Sequence, residues 1–282
     1  MSVFSKLVSR ILAARRPWRS LYFHHIGKTG GISLGEMIEF TLGAENTFPQ
    51  RGVSVELLSD ISRFTFFTGH FPFNVIEFLP KPIAVVTTVR EPVSHIVSIY
   101  NHLRRSEGRH LLLARRTRPL ESFDDFLNDE ILRQITTNPQ AYSLGRQITQ
   151  QQVVEFAKRI RRVDWSETGG PDDFWCLYGS LDEDRQESFL LEVARSRIGQ
   201  PWLFAYLCEK LDAELELMFA DLHLSLPRKF LEVPLRRNVR PSDPRMLTTD
   251  LLSESQVGEI LLRTELDRKL YKHVLRLREN SL

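Results

Sequence analysis

The chain has 282 residues, with 38 Lys and Arg against 36 Asp and Glu, a formal net charge of +2. Charge this close to balance excludes a general polyanion coat and an acidic solvating tail. A composition of 42% hydrophobic and 26% charged residues is ordinary for a soluble globular protein. Area scaling at this length puts about three quarters of the unfolded surface inside the fold, so no staples are needed.

Residues 1–19 read as a basic, amphipathic lead segment. Apolar and basic residues alternate there with no acid, a pattern that reads as a solvated leading helix and also suits weak peripheral contact with a membrane surface. Residues 20–282 read as one domain. Residues 20–26 (SLYFHHI) form a strand that ends in a Gly-rich turn at 27–31, and residues 33–42 follow as a helix. Residues 64–68 (FTFFT) and 83–89 (IAVVTTV) are further strands, the latter rich in β-branched residues, as a buried parallel strand is. Pro92 then opens a helix. Residues 121–162 are helical, 202–207 form a strand, and 209–222 a helix. Residues 227–244 are a loop rich in Arg and Pro, and 253–278 are helical again. Strand, turn and helix in repetition predict an α/β fold: a P-loop-like parallel sheet flanked by helices, with helical insertions and a helical C-terminus.

Two cysteines, Cys176 and Cys208, are too few for a disulfide scaffold, and no Asn-x-Ser/Thr sequon occurs. No apolar run approaches the roughly 18 residues a membrane span requires. No small-residue cleavage site follows the lead segment. These features together predict a cytoplasmic protein with no transmembrane segment.

Two places carry anion chemistry. The first is His25-Ile26-Gly27-Lys28-Thr29-Gly30-Gly31-Ile32-Ser33, between a strand and a helix. Gly30 and Gly31 let an anion approach the backbone, and the first N–H groups of the next helix point at it. Lys28 adds charge, while Thr29 and Ser33 add hydroxyls. A Walker A loop would need glycine where Tyr22 stands, so an ordinary P-loop triphosphatase is disfavoured. The second place is Arg90, at the carboxyl end of the third strand, with Ser98 two helical turns beyond it. Taken alone, the first also reads as a Gly-rich strand-to-helix turn with a solvated Lys, and the second as a helix-capping Arg with a surface Ser.

The two sites together resemble the sulfotransferases that use 3′-phosphoadenosine 5′-phosphosulfate (PAPS), in the branch of the heparan sulfate 2-O- and 6-O-sulfotransferases. HIGKTGGIS is similar to that family's 5′-phosphosulfate loop, H-I-P-K-T-G-G-T-S. TTVREPVSHIVSIYNHL is similar to its 3′-phosphate motif. TGHFPF resembles the segment holding the family's catalytic histidine, and NPQAYSLG a motif near the acceptor. WLFAYLCEKLDAELELM and TELDRKLYKHV resemble its late strand-helix and C-terminal helix, so that the likeness runs in order from about residue 20 to 277. Gly27 stands where the family has Pro, and Ile32 where it has Thr or Ser.

The resemblance implies in-line transfer of a sulfuryl group from PAPS to an acceptor hydroxyl, with sugar hydroxyls preferred. Lys28 would stabilise the leaving bisphosphate oxygen and His70 would act as base. Thr29, Gly30, Gly31, Ile32 and Ser33 would hold the 5′ side, and Arg90 and Ser98 the 3′-phosphate. Arg237 and Asn238, with Arg236, would make later cofactor contacts. Asn138, Gln140, Arg104 and Arg105 are the acceptor-side candidates. His25 reads as structural, His95 and His102 as packing or surface residues, and His24 as lying on the opposite strand face.

Residues 101–118 carry six Arg against one Glu, and 227–245 carry six basic against two acidic residues, so an acidic glycan is a plausible acceptor. Solvated arginines paired with nearby acids explain the first cluster equally well. No metal-ligand cluster and no nucleic-acid-binding pattern stands out. A P-loop-like kinase and a non-catalytic bisphosphate or polysaccharide binder are the alternatives.

Overall fold

The computed structural model describes residues 16–48, 61–69, 73–105, 120–146, 187–230 and 246–280. Four strands form one sheet: β1 (Ser20–His24), β2 (Phe66–Gly69), β3 (Ile83–Val89) and β4 (Leu203–Leu207). Their order is β2-β1-β3-β4 and every pair is parallel. β1 and β3 are therefore the inner strands, with His24 in register with both Gly69 and Thr87. The third strand has the predicted bounds; β1 stops two residues before the predicted end, where the chain turns into the glycine loop.

Both faces of the sheet are covered, which is why its strands are almost continuously apolar. Nine helices lie around it among the described residues. They are α1 (Gly31–Leu42), α2 (Pro92–Arg105), α3 (Phe123–Asn128), α4 (Glu130–Thr136), α5 (Pro139–Gly145), α6 (Glu187–Ile198), α7 (Leu211–Asp221), α8 (Glu254–Arg263) and α9 (Glu265–Glu279). Tyr22, Phe67 and Val85 point to one face, where they pack with residues of α5, α6 and α9. Leu21, Phe23, Phe66 and Val86 point to the other, against α1 and α7. A third cluster joins α2, α3, α4 and α8 through Ile96, Tyr100, Phe126, Leu132 and Ile260. None of the described helices is long and apolar enough to cross a membrane.

Two predicted helical stretches are subdivided. The C-terminal one breaks at Thr264, whose hydroxyl donates to Ile260 O at 2.7 Å. Asn138 takes over the bonds lost there: its N–H donates to Arg263 O, and its Oδ1 accepts from Leu266 N at 2.8 Å. A tertiary partner thus replaces the intrahelical one, which helical periodicity alone does not reveal. In the middle stretch, Ser122 and Asp129 cap the starts of α3 and α4 with their side chains. Asn138, at φ 47°, precedes Pro139 at the start of α5. Residues 147–162 of that stretch, most of the 1–19 lead segment and Cys176 lie outside the described residues.

Candidate anion-binding site

The glycine loop crosses the carboxyl ends of the inner strands. Gly30 adopts φ 86° and ψ 7°, a left-handed conformation that glycine takes without strain, and α1 begins at the next residue. A Cβ on Gly31 would lie 2.0 Å from the His25 ring, which itself stacks on Phe23 with centroids 5.4 Å apart. His25 is half-buried, and its ring fills the space that a Gly31 side chain would take. No carboxylate stands in the first turn of α1, and no side chain caps it. By contrast, α3, α4 and α8 are each closed by a Ser or Asp side chain, and Glu91 accepts from Val93 N and Ser94 N at the start of α2. The bare N–H groups of α1 retain their affinity for an anion.

The segment from Thr88 to His95 clamps this loop at three successive residues. His95 Nε2 is 2.8 Å from Gly27 O, Arg90 Nη1 donates to Lys28 O at 3.1 Å, and Thr88 Oγ1 meets Thr29 Oγ1 at 2.9 Å. Thr29 donates its own proton to Ile26 O at 2.7 Å and is fully buried. Its hydroxyl is thus part of the clamp, and it faces an anion only through its backbone N–H. Lys28, half-buried, holds φ 65°, an uncommon value for a residue with a side chain. Burial, together with the neighbouring Arg90 and Lys28 charges, lowers the His95 pKa to about 3, so the ring stays neutral.

Ser33 is buried in the first turn of α1, whereas Ile32 is 51% exposed. Ser98 is half-buried on α2, three residues after His95 and so on the loop-facing side of that helix. Lys28 and Arg90 are joined at the entry to α1. Cys208 Sγ lies 3.2 Å from where a Gly30 Cβ would be, and burial pushes its thiol up to about 11.

The proposed acceptor residues are placed differently from expectation. Gln140 is 1% exposed and spans the Arg90 backbone: its Oε1 accepts from Arg90 N at 2.7 Å and its Nε2 donates to Arg90 O at 2.8 Å. Asn138 is 5% exposed and occupied with α9. Both are internal braces, because helix starts buried against other elements need polar partners. Arg104 and Arg105 are exposed at the far end of α2, about 18 Å along its axis from Pro92. His70, Arg236, Arg237 and Asn238 lie outside the described residues.

The sequence reading passed over Asp267. Buried on α9, it accepts from Gln140 N at 3.2 Å and Ala141 N at 2.7 Å, and burial raises its carboxyl to about 7. The signal was present: Asp267 shares an apolar stripe with Leu270 and Val274, an unusual position for an acid. Among the described residues no His, Cys, Asp and Glu group is placed to hold a metal ion. Neither models of protein families nor curated proteins match the chain.

Proposed function

We propose that the protein transfers a sulfuryl group from PAPS to an acceptor hydroxyl, on a carbohydrate by resemblance. The observation that carries this reading is the uncapped start of α1, reached through Gly30 and flanked by Lys28 and Arg90. This corner suits two phosphate-like groups. The 5′-phosphosulfate fits against the N–H groups of Gly31, Ile32 and Ser33, beside the His25 ring that fills the space a Gly31 side chain would take, and no carboxylate stands in the first turn of α1. The 3′-phosphate fits Arg90 and Ser98, since Glu91 already occupies the N-terminus of α2. The strand order and the glycine loop support a P-loop-like arrangement.

Sulfuryl transfer resembles phosphoryl transfer in its loose transition state, so the protein contributes position and charge. Charge grows on the bridging oxygen of the leaving bisphosphate. On this reading Lys28 and the α1 amides stabilise that charge. Burial of Thr29 and the His95 and Arg90 clamps fix those amides beforehand, so little reorganisation is needed. His70 remains the base that the resemblance implies.

Adenosine 3′,5′-bisphosphate should raise the melting temperature of the protein, while ATP with Mg²⁺ should not. Stabilisation by ATP–Mg²⁺ alone would instead indicate a kinase-like nucleotide site. No response to either would remove the nucleotide site altogether.

A further inference from the structure

Tyr22 and His24 leave the same face of β1, and their side chains meet. The Tyr22 hydroxyl lies 3.2 Å from His24 Nδ1, and His24 Nε2 lies 3.0 Å from Ser143 Oγ on α5. Tyr22 and Phe73 hold the imidazole edge-on, with centroids 5.7 and 5.2 Å away. Tyr22 is fully buried and His24 is 1% exposed, whereas Ser143 is half-buried. The three groups form a polar chain that starts in the core and opens outward at the serine hydroxyl.

Its position bears on chemistry. His24 is the last residue of an inner strand, at the carboxyl end where open α/β sheets hold ligands. Thr87 Oγ1 donates to the His24 carbonyl at 2.9 Å and fixes the backbone there. Ser143 follows Gln140 by three residues on α5, so the two share a face about 5–6 Å apart. Gln140 is the residue that holds Arg90. The serine therefore stands about one helical turn from the brace of the anion site.

We infer that Ser143 and His24 form a proton-accepting pair for the transfer reaction, in place of the His70 base that the resemblance implies; this rests on the sulfotransferase reading above. The acceptor oxygen attacks sulfur and forms the new S–O bond. The bond from sulfur to the bridging oxygen breaks, and its electron pair leaves on the bisphosphate. The acceptor proton passes to Ser143 Oγ as the serine's own proton passes to His24 Nε2. In the tautomer that the pair requires, Nδ1–H of His24 donates to the Tyr22 hydroxyl and the Nε2 lone pair turns toward Ser143. Ser143 is the group in contact with substrate, and His24 acts through it. The pair resembles the base-and-hydroxyl arrangement of nucleophilic enzymes, here serving proton transfer only.

Two measurements test the pair. In protein labelled with ¹⁵N-histidine, the His24 signals are identified by their loss in His24→Gln, and the ring should carry its proton on Nδ1. A neutral ring protonated on Nε2 overturns the proposal, because Ser143 would then be the acceptor of that bond; this arm needs no substrate. In the second, sulfate transfer from PAPS to heparosan, an unsulfated uronic acid polysaccharide, is followed. Ser143→Ala should lower kcat about 10²-fold with bisphosphate affinity within about twofold of the parent, and Ser143→Thr should restore kcat. Unchanged kcat in Ser143→Ala, or kcat and bisphosphate affinity falling together, overturns the pair and leaves the sulfotransferase reading standing. A parent protein that binds no bisphosphate and transfers no sulfate overturns that reading, and the catalytic role of the pair with it.

Discussion

A buried imidazole on α2 holds the carbonyl of the residue before Lys28: His95 Nε2 lies 2.8 Å from Gly27 O. A carbonyl only accepts, so Nε2 carries the proton and the neutral ring is a fixed donor. The other ring nitrogen is buried and has no hydrogen-bond partner among the described residues. A buried polar atom left in this way costs free energy, so the site keeps His95 at some expense of stability. What the bond contributes is position, because the amides that follow Gly27 must face a ligand before it arrives.

His95→Phe should therefore lower stability by about 1–3 kcal/mol, since it leaves the Gly27 carbonyl buried without its donor. It should also weaken binding of adenosine 3′,5′-bisphosphate. Urea denaturation and calorimetry read the two effects. A variant with parental stability and affinity would show that the clamp is dispensable.

Gly31→Ala places a methyl group 2.0 Å from the His25 ring. Either the ring or the loop must move, and the start of α1 moves with it. Bisphosphate affinity should fall about tenfold or more, a cost of roughly 1.4 kcal/mol in binding. Titration calorimetry at one salt concentration decides this, and equal affinity would separate the glycine from the site.

Asp267 makes stability depend on pH in a stated direction. Its folded value of about 7 lies above the usual unfolded carboxyl value of about 3.9. The folded state binds this proton more tightly, so its contribution is complete below about pH 4 and is lost as pH rises through about 7. The stability of the parent relative to Asp267→Asn should decline steadily from pH 4 to pH 8. A difference that does not vary with pH would show that the carboxyl titrates normally.

Arg278 on α9 joins two carboxylates of α7: its Nε is 3.2 Å from Glu214 Oε2 and its Nη1 is 3.7 Å from Asp221 Oδ2. Tyr206 donates to the same Asp221 oxygen at 2.5 Å. Glu214 is 6% exposed. Arg278→Met removes the cation from a buried pair and should cost about 3–5 kcal/mol. Chemical denaturation measures it, and a loss under about 1 kcal/mol would mean that water compensates the carboxylates.

The sheet was legible from runs such as IAVVTTV because burial on both faces leaves an apolar signature in sequence. The glycine loop was legible because Gly30 and Gly31 answer local demands, one of backbone conformation and one of close approach by a ring two strand positions from Phe23. The roles of Gln140 and Asn138 were not legible. Both lie in a segment read as facing an acceptor, yet their side chains satisfy backbone groups more than 45 residues away in the chain, at Arg90 and at Leu266. Such bonds depend on tertiary placement and leave no local pattern. Thr29 shows the same limit on a smaller scale: its hydroxyl looks available in sequence, and Ile26 and Thr88 engage it in the fold.

The central claim is transfer, and labelled sulfate measures it directly. Protein incubated with [³⁵S]PAPS and a panel of hydroxyl acceptors, heparosan among them, should move label onto a carbohydrate, and Lys28→Ala should reduce that rate about 10²-fold or more. No label above the protein-free control with any acceptor, or a rate in Lys28→Ala equal to that of the parent, would contradict the account.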